Sequence, residues 1–198
     1  MKRLLTTLLL SGAIALPALA ALKSGDKAPD FTAKASLAGK AFDFSLKEAL
    51  KKGPVVVYFY PSAYTGGCNR EAHTFAVNKD KFDAVGATII GVSHDSIARL
   101  NDFSADPEYC AGKFPVASDA DGKIAKSYGL KVTEGKPGFK DTRGAEIGHA
   151  FTERTTFVIA SDAKIVATFS SADDKITPED HVTRSLAAVT DLKAAKAK

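Results

Sequence analysis

The 198-residue chain has only two cysteines, Cys68 and Cys110, and they stand 42 residues apart. A Cys-x-x-Cys pair is therefore absent, and with it the usual sequence sign of dithiol–disulfide exchange. A scaffold held by many disulfides is excluded for the same reason. His73, His94, His149 and His181 lack a His-x-x-x-His spacing, which removes a common zinc-ligand pattern. No phosphate-binding glycine loop and no dinucleotide fingerprint occurs. Asp119-Ala-Asp-Gly122 begins like a calcium loop, but no carboxylate completes it at the twelfth position, so it reads as a turn. Ser93-His94-Asp95 is not a catalytic triad, because neighbours along an extended chain point to opposite sides. Beyond residue 20 no apolar run is long enough to cross a bilayer. Internal repeats and linkers are also missing, which leaves one domain with a core of ordinary size.

What is present fits a soluble globular chain, with 45% hydrophobic and 25% charged residues. Residues 1–20 read as a secretory signal peptide. Lys2-Arg3 is its charged start, Leu4 to Leu16 its apolar stretch, and Ala18-Leu19-Ala20 its small-residue cleavage site. An uncleaved anchor is the alternative. Cleavage after Ala20 predicts an exported protein, periplasmic in a bacterium, with a single domain over residues 21–198 and no membrane attachment after processing. The whole chain carries a net charge of +4, and loss of Lys2 and Arg3 lowers it to about +2. So weak and evenly spread a charge does not point to nucleic acid. Lys193, Lys196 and Lys198 read as a frayed, solvated helix end.

Local pattern predicts an α/β order. Phe31–Ala35 and Ala41–Phe44 form a hairpin around Gly39-Lys40, and Ser45-Leu-Lys-Glu48 is a capping box for a short helix stopped by Gly53-Pro54. Val55–Tyr60 is a continuous apolar run, the mark of a buried central strand. A helix follows from Gly67 to about Val85, then a second buried strand over Ala87–Ser93 and a helix marked by Ile97, Leu100 and Phe103. Asp106-Pro107 ends that helix and leaves Cys110 in a loop beside polar residues and Gly112, a segment expected to move. A short helix from Asp121-Gly122 closes at Gly129. Residues 131–153 are polar and form the longest irregular stretch. Thr155–Ala160 and Lys164–Phe169 make a second hairpin, and Thr177-Pro-Glu-Asp180 caps a final helix. The expected architecture is a three-layer sandwich, a mixed sheet with helices on both faces.

The segment Pro61-Ser-Ala-Tyr-Thr65-Gly-Gly-Cys68 carries the chemistry. It places a cysteine between the end of a strand and the start of a helix. Free backbone amides and the positive end of the helix dipole converge there, and both favour a thiolate. Thr65 stands where a Cys-x-x-Cys pair would have its first cysteine. Its hydroxyl can hydrogen-bond the sulfur or a polar substrate but cannot form a disulfide. Tyr64 either lines the pocket mouth or sits in the loop.

Phe59-Tyr-Pro61-x-x-x-Thr65-x-x-Cys68, Glu71, the junction Gly91-Val-Ser-His-Asp-Ser96 and Arg154-Thr-Thr-Phe-Val-Ile together resemble the peroxiredoxins, closest to the bacterioferritin-comigratory, or Q-type, branch. The resemblance runs from about Leu22 to Leu192. It implies a thioredoxin-like fold with an N-terminal extension. It also implies a thiol peroxidase that reduces hydrogen peroxide and organic hydroperoxides without metal, haem or flavin. Cys68 would be the peroxidatic nucleophile and Thr65 would hold the peroxide. Arg154 would supply a fixed positive charge, Glu71 would orient that arginine, and Pro61 would shape the loop. Many Q-type members carry a resolving cysteine five residues after the nucleophile. That position is His73 here, so Cys110 is the candidate for an intramolecular disulfide. A thioredoxin-like or small-thiol reductant would complete the cycle, with the protein a monomer or homodimer. Two alternatives remain open on the residues alone: a non-enzymatic thioredoxin-like binding module with a structural Cys68–Cys110 disulfide, and a thiol–disulfide oxidoreductase.

Overall fold

A computed structural model describes residues 20–196, so the expected signal peptide lies outside the described residues except for Ala20. The chain enters through the hairpin β1 (Thr32–Leu37) and β2 (Lys40–Ser45), followed by the short helix α1 (Leu46–Leu50). The predicted capping box is only half formed. Ser45 Oγ accepts the Glu48 amide at 3.3 Å, but the Glu48 carboxylate turns away to Lys51 Nζ at 2.7 Å. Strand β3 (Val55–Phe59) is buried at every position and leads to the long helix α2 (Gly66–Ala84). Then come β4 (Thr88–Ser93), α3 (Ile97–Ala105), β5 (Val116–Ser118), α4 (Lys123–Ser127), β6 (Val132–Thr133), β7 (Phe151–Thr152), β8 (Thr155–Ile159), β9 (Ile165–Ser170), α5 (Ser171–Asp174) and α6 (Pro178–Lys196).

Seven strands join in the order β2-β1-β5-β4-β3-β8-β9, with β5, β4 and β3 parallel and the rest antiparallel. The sheet has an apolar layer on each side. Val55, Val57 and Phe59 point toward α1 and α4, while Val56 and Tyr58 point toward α2, α3 and α6. This alternation is the period-two consequence of a strand buried on both faces. The last helix begins as expected. The Thr177 hydroxyl accepts the Asp180 amide at 3.2 Å, and the Asp180 carboxylate accepts the Thr177 amide at 2.9 Å. Lys193 belongs to ordered helix rather than a frayed tail, and its Nζ donates to the Ala84 carbonyl at 2.6 Å.

Strand β5 and the small strand pair β6–β7 were not expected. They are too short to carry a periodic signal, and neighbouring strands define them: β5 joins β1 and β4 by Ala35↔Ala117 and Val92↔Ala117. The long segment 131–153 is accordingly less irregular than its composition implied.

One close approach fixes how α2 sits on the sheet. The Tyr58 ring stacks on Phe75 of α2, with centroids 4.6 Å apart, and passes over Gly91 of the adjacent strand. A Cβ at Gly91 would lie 2.6 Å from the Tyr58 ring, so only glycine leaves room. Gly91→Ala is expected to destabilise the fold by about 1–3 kcal/mol through this overpacking. Thermal melting monitored by circular dichroism checks it, with Gly66→Ala as the control because nothing lies within 4 Å of a Cβ there. Equal melting temperatures for Gly91→Ala and the parent chain would contradict the packing argument.

Candidate active site

The site is built where β3 ends. The strand delivers the chain to a loop over residues 60–65, and α2 starts at Gly66. The first hydrogen bond of that helix runs from the Asn69 amide to the Thr65 carbonyl at 2.8 Å. Helix geometry therefore leaves the amides of Gly66, Gly67 and Cys68 without intrahelical partners. Cys68 lies in this first turn and is nearly buried, with 2% of its surface exposed. Strand β8 runs antiparallel beside β3 and pairs Thr155 with Phe59, so residue 154 arrives next to the same loop. Arg154 uses that position. Its Nη2 lies 3.1 Å from Cys68 Sγ, and its Nη1 donates to Glu71 Oε2. Glu71 is fully buried three residues after Cys68, on the same helical face. A Cβ at Gly67 would come within 3.2 Å of Arg154 Nη2, so the glycine leaves room for the guanidinium arm that faces the sulfur.

Burial raises the Glu71 carboxyl above the usual carboxylate range, and the Arg154 cation pulls against that shift. Burial also opposes the charge on Arg154, but Glu71 and then Cys68 outweigh it and raise the guanidinium's pKa. Each group favours the charged form of the other, against a burial that still leaves the Glu71 carboxyl pushed up to about 7. The outcome is a fixed donor facing the sulfur, with its other arm immobilised by a carboxylate.

The other predicted residues are less uniform. Thr65 occupies the N-cap position of α2, yet its hydroxyl does not cap the helix. It donates instead to the Ser62 carbonyl at 2.8 Å. Pro61 and Thr65 line a surface groove shared with Thr133, Glu134, Lys136, Phe139 and Phe151. Tyr64 does not line the pocket mouth. Its ring is buried against Phe103 and Tyr109 at 5.0 and 5.6 Å between centroids, and the Arg143 guanidinium carbon lies 3.2 Å from its ring centre. Its backbone is left-handed, with φ of 60°, which is uncommon for an aromatic residue. Two bonds from Thr142, amide and hydroxyl, to the Tyr64 carbonyl at 2.9 Å hold it there.

One organising residue had no role assigned from the sequence, where it stood only within the junction Gly91-Val-Ser-His-Asp-Ser96. Asp95, fully buried after β4, accepts from Ser62 Oγ at 3.0 Å, the Ala63 amide at 2.8 Å and Ser93 Oγ at 2.7 Å. It also pairs with Arg99 at 2.8 Å and His149 at 2.9 Å. Burial works against its charge, but His149 and these donors hold its pKa below the usual value. Arg99 in turn bonds the Ala63 carbonyl and Asp141, both at 2.8 Å. The cysteine loop is thus tied to α3 and to the 131–153 segment through one carboxylate.

Cys110 is not on a loose loop. It is fully buried in the same apolar cluster as Cys68, Tyr58, Tyr60 and Phe114. Burial, followed by the charge of Asp106, raises its thiol well above the ordinary value. A tight turn carries it, with the Tyr109 and Ala111 amides bonded to the Asp106 carbonyl at 3.2 and 2.8 Å. His73 Nδ1 lies 2.9 Å from the Glu108 carbonyl, so this turn rests on α2 just beyond Cys68. Both cysteines are free thiols in this fold. Of the four histidines, His94 and His149 are neighbours, with ring centroids 6.5 Å apart. His94 meets Thr152 Oγ1 at 2.6 Å, and His181 lies between Thr156 and Ser171, each at 2.9 Å. Among the described residues no group of His, Cys, Asp and Glu is arranged to hold a metal ion, and no helix is long and apolar enough to cross a membrane.

A thioredoxin-like mixed sheet with one nearly buried cysteine at a helix start, faced by a guanidinium, defines a thiol-dependent oxidoreductase. The AhpC/TSA family model matches residues 24–168. A relative in Mycobacterium tuberculosis strain H37Rv, named as a peroxiredoxin, is 30% identical over 173 residues, covering 87% of this chain and 99% of its own length. Among solved structures, a peroxidoxin from Mycobacterium tuberculosis superposes with a TM-score of 0.70 at 30% identity, covering 86% of this chain and 97% of that one. The bacterioferritin comigratory protein of Xanthomonas campestris, whose structure concerns alkyl peroxide reduction, gives 0.62 at 27% identity, over 81% and 91%. The chain belongs to the AhpC/TSA family of peroxiredoxins, with relatives in the Q-type branch, and is a thiol peroxidase.

His181 gives the site region a pH signature. Burial, and after it the nearby Arg154 charge, lowers its pKa to about 4. An unfolded histidine protonates near 6.5. Between these values the unfolded chain binds the extra proton and the folded one does not. The contribution is therefore complete above pH 6.5 and is lost as pH falls toward 4, on the order of 3 kcal/mol in all. Urea unfolding at pH 7, 5.5 and 4 is expected to show a shallower acid loss in His181→Asn than in the parent chain. Parallel losses in both would contradict a neutral buried His181.

Proposed function

We propose that the chain reduces hydrogen peroxide and organic hydroperoxides, with Cys68 as the attacking thiolate. The observation that carries this reading is the 3.1 Å approach of Arg154 Nη2 to Cys68 Sγ, with the other arm of the guanidinium held by Glu71. The sulfur attacks the terminal oxygen of R–O–O–H in line with the O–O bond. An S–O bond forms, the O–O bond breaks, and its electron pair leaves on RO⁻, which takes a proton to become ROH. Cys68 is left as the sulfenic acid. Arg154 and the unpaired amides of the first turn of α2 are preorganised donors for the charge that builds on the oxygens. Pro61 shields the sulfur side of the loop. Thr65 is placed to bond the peroxide once its hydroxyl turns from the Ser62 carbonyl.

In the second half of the cycle Cys110 attacks the sulfenic acid, releasing water and forming an intramolecular disulfide. A thioredoxin-like or small-thiol reductant then returns both thiols. The first turn of α2 and the Cys110 turn must both loosen for this, and helix ends and turns are the segments with the lowest opening free energies. The contact of His73 with the Cys110 turn supports their proximity. Export with removal of residues 1–20 completes the reading. It rests on the charged start, apolar stretch and small-residue site of the sequence.

Quenched-flow oxidation of the reduced protein by hydrogen peroxide tests the first half. Cys68→Ser is expected to abolish peroxide consumption with the circular dichroism spectrum kept, since an alcohol is hardly ionised at neutral pH. Arg154→Lys keeps the charge but loses the planar fork, and is expected to slow oxidation of Cys68 by about tenfold to a hundredfold. Near-normal turnover in Cys68→Ser would end the reading.

Peptide mapping after one equivalent of peroxide tests the second half on protein recovered from the exporting cell. A monomeric Cys68–Cys110 crosslink and an N-terminus at Ala21 are expected. Persistent sulfenic acid on Cys68, with full turnover in Cys110→Ser, would leave a one-cysteine mechanism. Intact Met1 would contradict processing.

A further inference from the structure

The long segment 131–153 meets the cysteine loop through a side chain whose hydrogen bonds fix its charge. His149 Nδ1 lies 2.7 Å from the Ala150 carbonyl, and its Nε2 lies 2.9 Å from Asp95 Oδ1. Both partners are acceptors: a carbonyl has no proton, and the donors around Asp95 hold it as a carboxylate. A neutral imidazole has one N–H and one lone pair, so it can serve only one of them. An imidazolium donates from both nitrogens and satisfies the two contacts together. The position of the ring is fixed from its backbone. A Cβ at Gly135 would lie 2.3 Å from the His149 carbonyl oxygen, so the two arms of the segment touch here. The Phe151 ring packs beside the imidazole, with centroids 5.7 Å apart.

The charged groups that face His149 come from β4, the turn after it and α3. Asp95 contacts it directly, and Arg99 of α3 shares that carboxylate and opposes a second cation. Arg99 is itself paired with Asp141. His94, at the end of β4, has its pKa lowered by burial, and the Asp119 charge bears on His94. Asp95 passes the constraint on to the cysteine loop. Its Oδ1 accepts from Ser62 Oγ at 3.0 Å, its Oδ2 accepts the Ala63 amide at 2.8 Å, and the Ser62 carbonyl accepts the Thr65 hydroxyl at 2.8 Å. His149 Nε2 is also 3.2 Å from Ser62 Oγ. Loss of the proton from Nε2 turns that nitrogen into an acceptor. It then faces Asp95 Oδ1 lone pair to lone pair, and the Ser62 hydroxyl is a donor within its reach. Ser62 is drawn off Asp95, and the buried carboxylate loses two donors at once.

We propose that His149, as an imidazolium, is a positioning residue for the peroxide step. It braces Asp95, and through Asp95 it fixes the Ser62 carbonyl on which the Thr65 hydroxyl rests. Loss of its proton slackens this part of the cysteine loop. This inference rests on the peroxidase reading above and adds a protonation-dependent brace to that site. The brace has a sign of its own: a thiol nucleophile gains reactivity as pH rises, whereas the brace is lost.

Long-range nitrogen–proton NMR on the reduced parent chain reads the ring directly. Both His149 nitrogens are expected to carry protons at pH 6, with a titration midpoint above the ordinary value of about 6.5. Rate constants for oxidation of Cys68 by hydrogen peroxide are then compared between the parent chain and His149→Gln on both sides of that midpoint. Their ratio removes the titration of the thiol, which the two proteins share. Well below the midpoint the variant is expected to be slower by about tenfold, the scale of a displaced positioning group. Well above it the two are expected to agree within about twofold, because the parent chain has lost the same proton. A singly protonated ring at pH 6, an unchanged rate below the midpoint, or a loss of equal size on both sides, the mark of a merely structural role, would overturn the inference while leaving the peroxidase reading intact. Consumption of no hydrogen peroxide by the parent chain would overturn both.

Discussion

A guanidinium that is almost wholly removed from water must be neutralised close by, and the place where Arg154 is neutralised determines the geometry of everything around it. Glu71 supplies the negative charge from α2, and the strand pairing of β8 with β3 supplies the arginine from the sheet. The ion pair therefore joins the helix that carries Cys68 to the strand that flanks it. Breaking such a pair by removing one partner leaves an uncompensated buried charge, at a cost of about 3–5 kcal/mol. The arm left over from this pairing is the one that faces the sulfur. Stability and chemistry share a single side chain, and a substitution at either end of the pair disturbs both.

Asp95 is a second constraint of the same type, set behind the first. It holds Ser62 and Ala63 of the cysteine loop, Arg99 of α3 and His149 of the long segment in one carboxylate's reach. The pairing raises the pKa of His149, against burial that lowers it, so histidine and aspartate each favour the charged form of the other. The wall of the groove and the loop it faces are thus positioned by one electrostatic hub. The charged network is concentrated around the loop, whereas α1 and α4 meet one face of the sheet through apolar packing.

Elements with strong local signals were legible in the sequence. The uninterrupted apolar run of β3, the glycine-started α2 and the mutual Thr177–Asp180 cap all announce themselves within a few residues. Strands β5, β6 and β7 did not, because two or three residues carry no period and only their neighbours make them strands. The burial of Cys110 was hidden for a related reason. Its polar, glycine-containing surroundings suit an exposed loop, and only the tertiary packing of Tyr58, Phe103 and Phe114 encloses it. Arg154 is 86 residues from Cys68, so no spacing rule could join them, and the family motif alone put them together before the structure did. The hub at Asp95 draws partners from four separate parts of the chain, which no local pattern records.

Tyr64 links the two segments that carry the thiols. It sits four residues before one thiol, in a backbone conformation that costs free energy on its own. Its ring lies against Tyr109, the residue immediately before the other thiol. Release of the left-handed turn withdraws the ring that packs the second segment, and departure of that segment removes the contact that keeps the turn in place. The two openings are thermodynamically coupled rather than additive, as contacts between neighbouring residues are in general. The cysteine loop and the Cys110 turn are accordingly packed on each other through this aromatic contact and not independently.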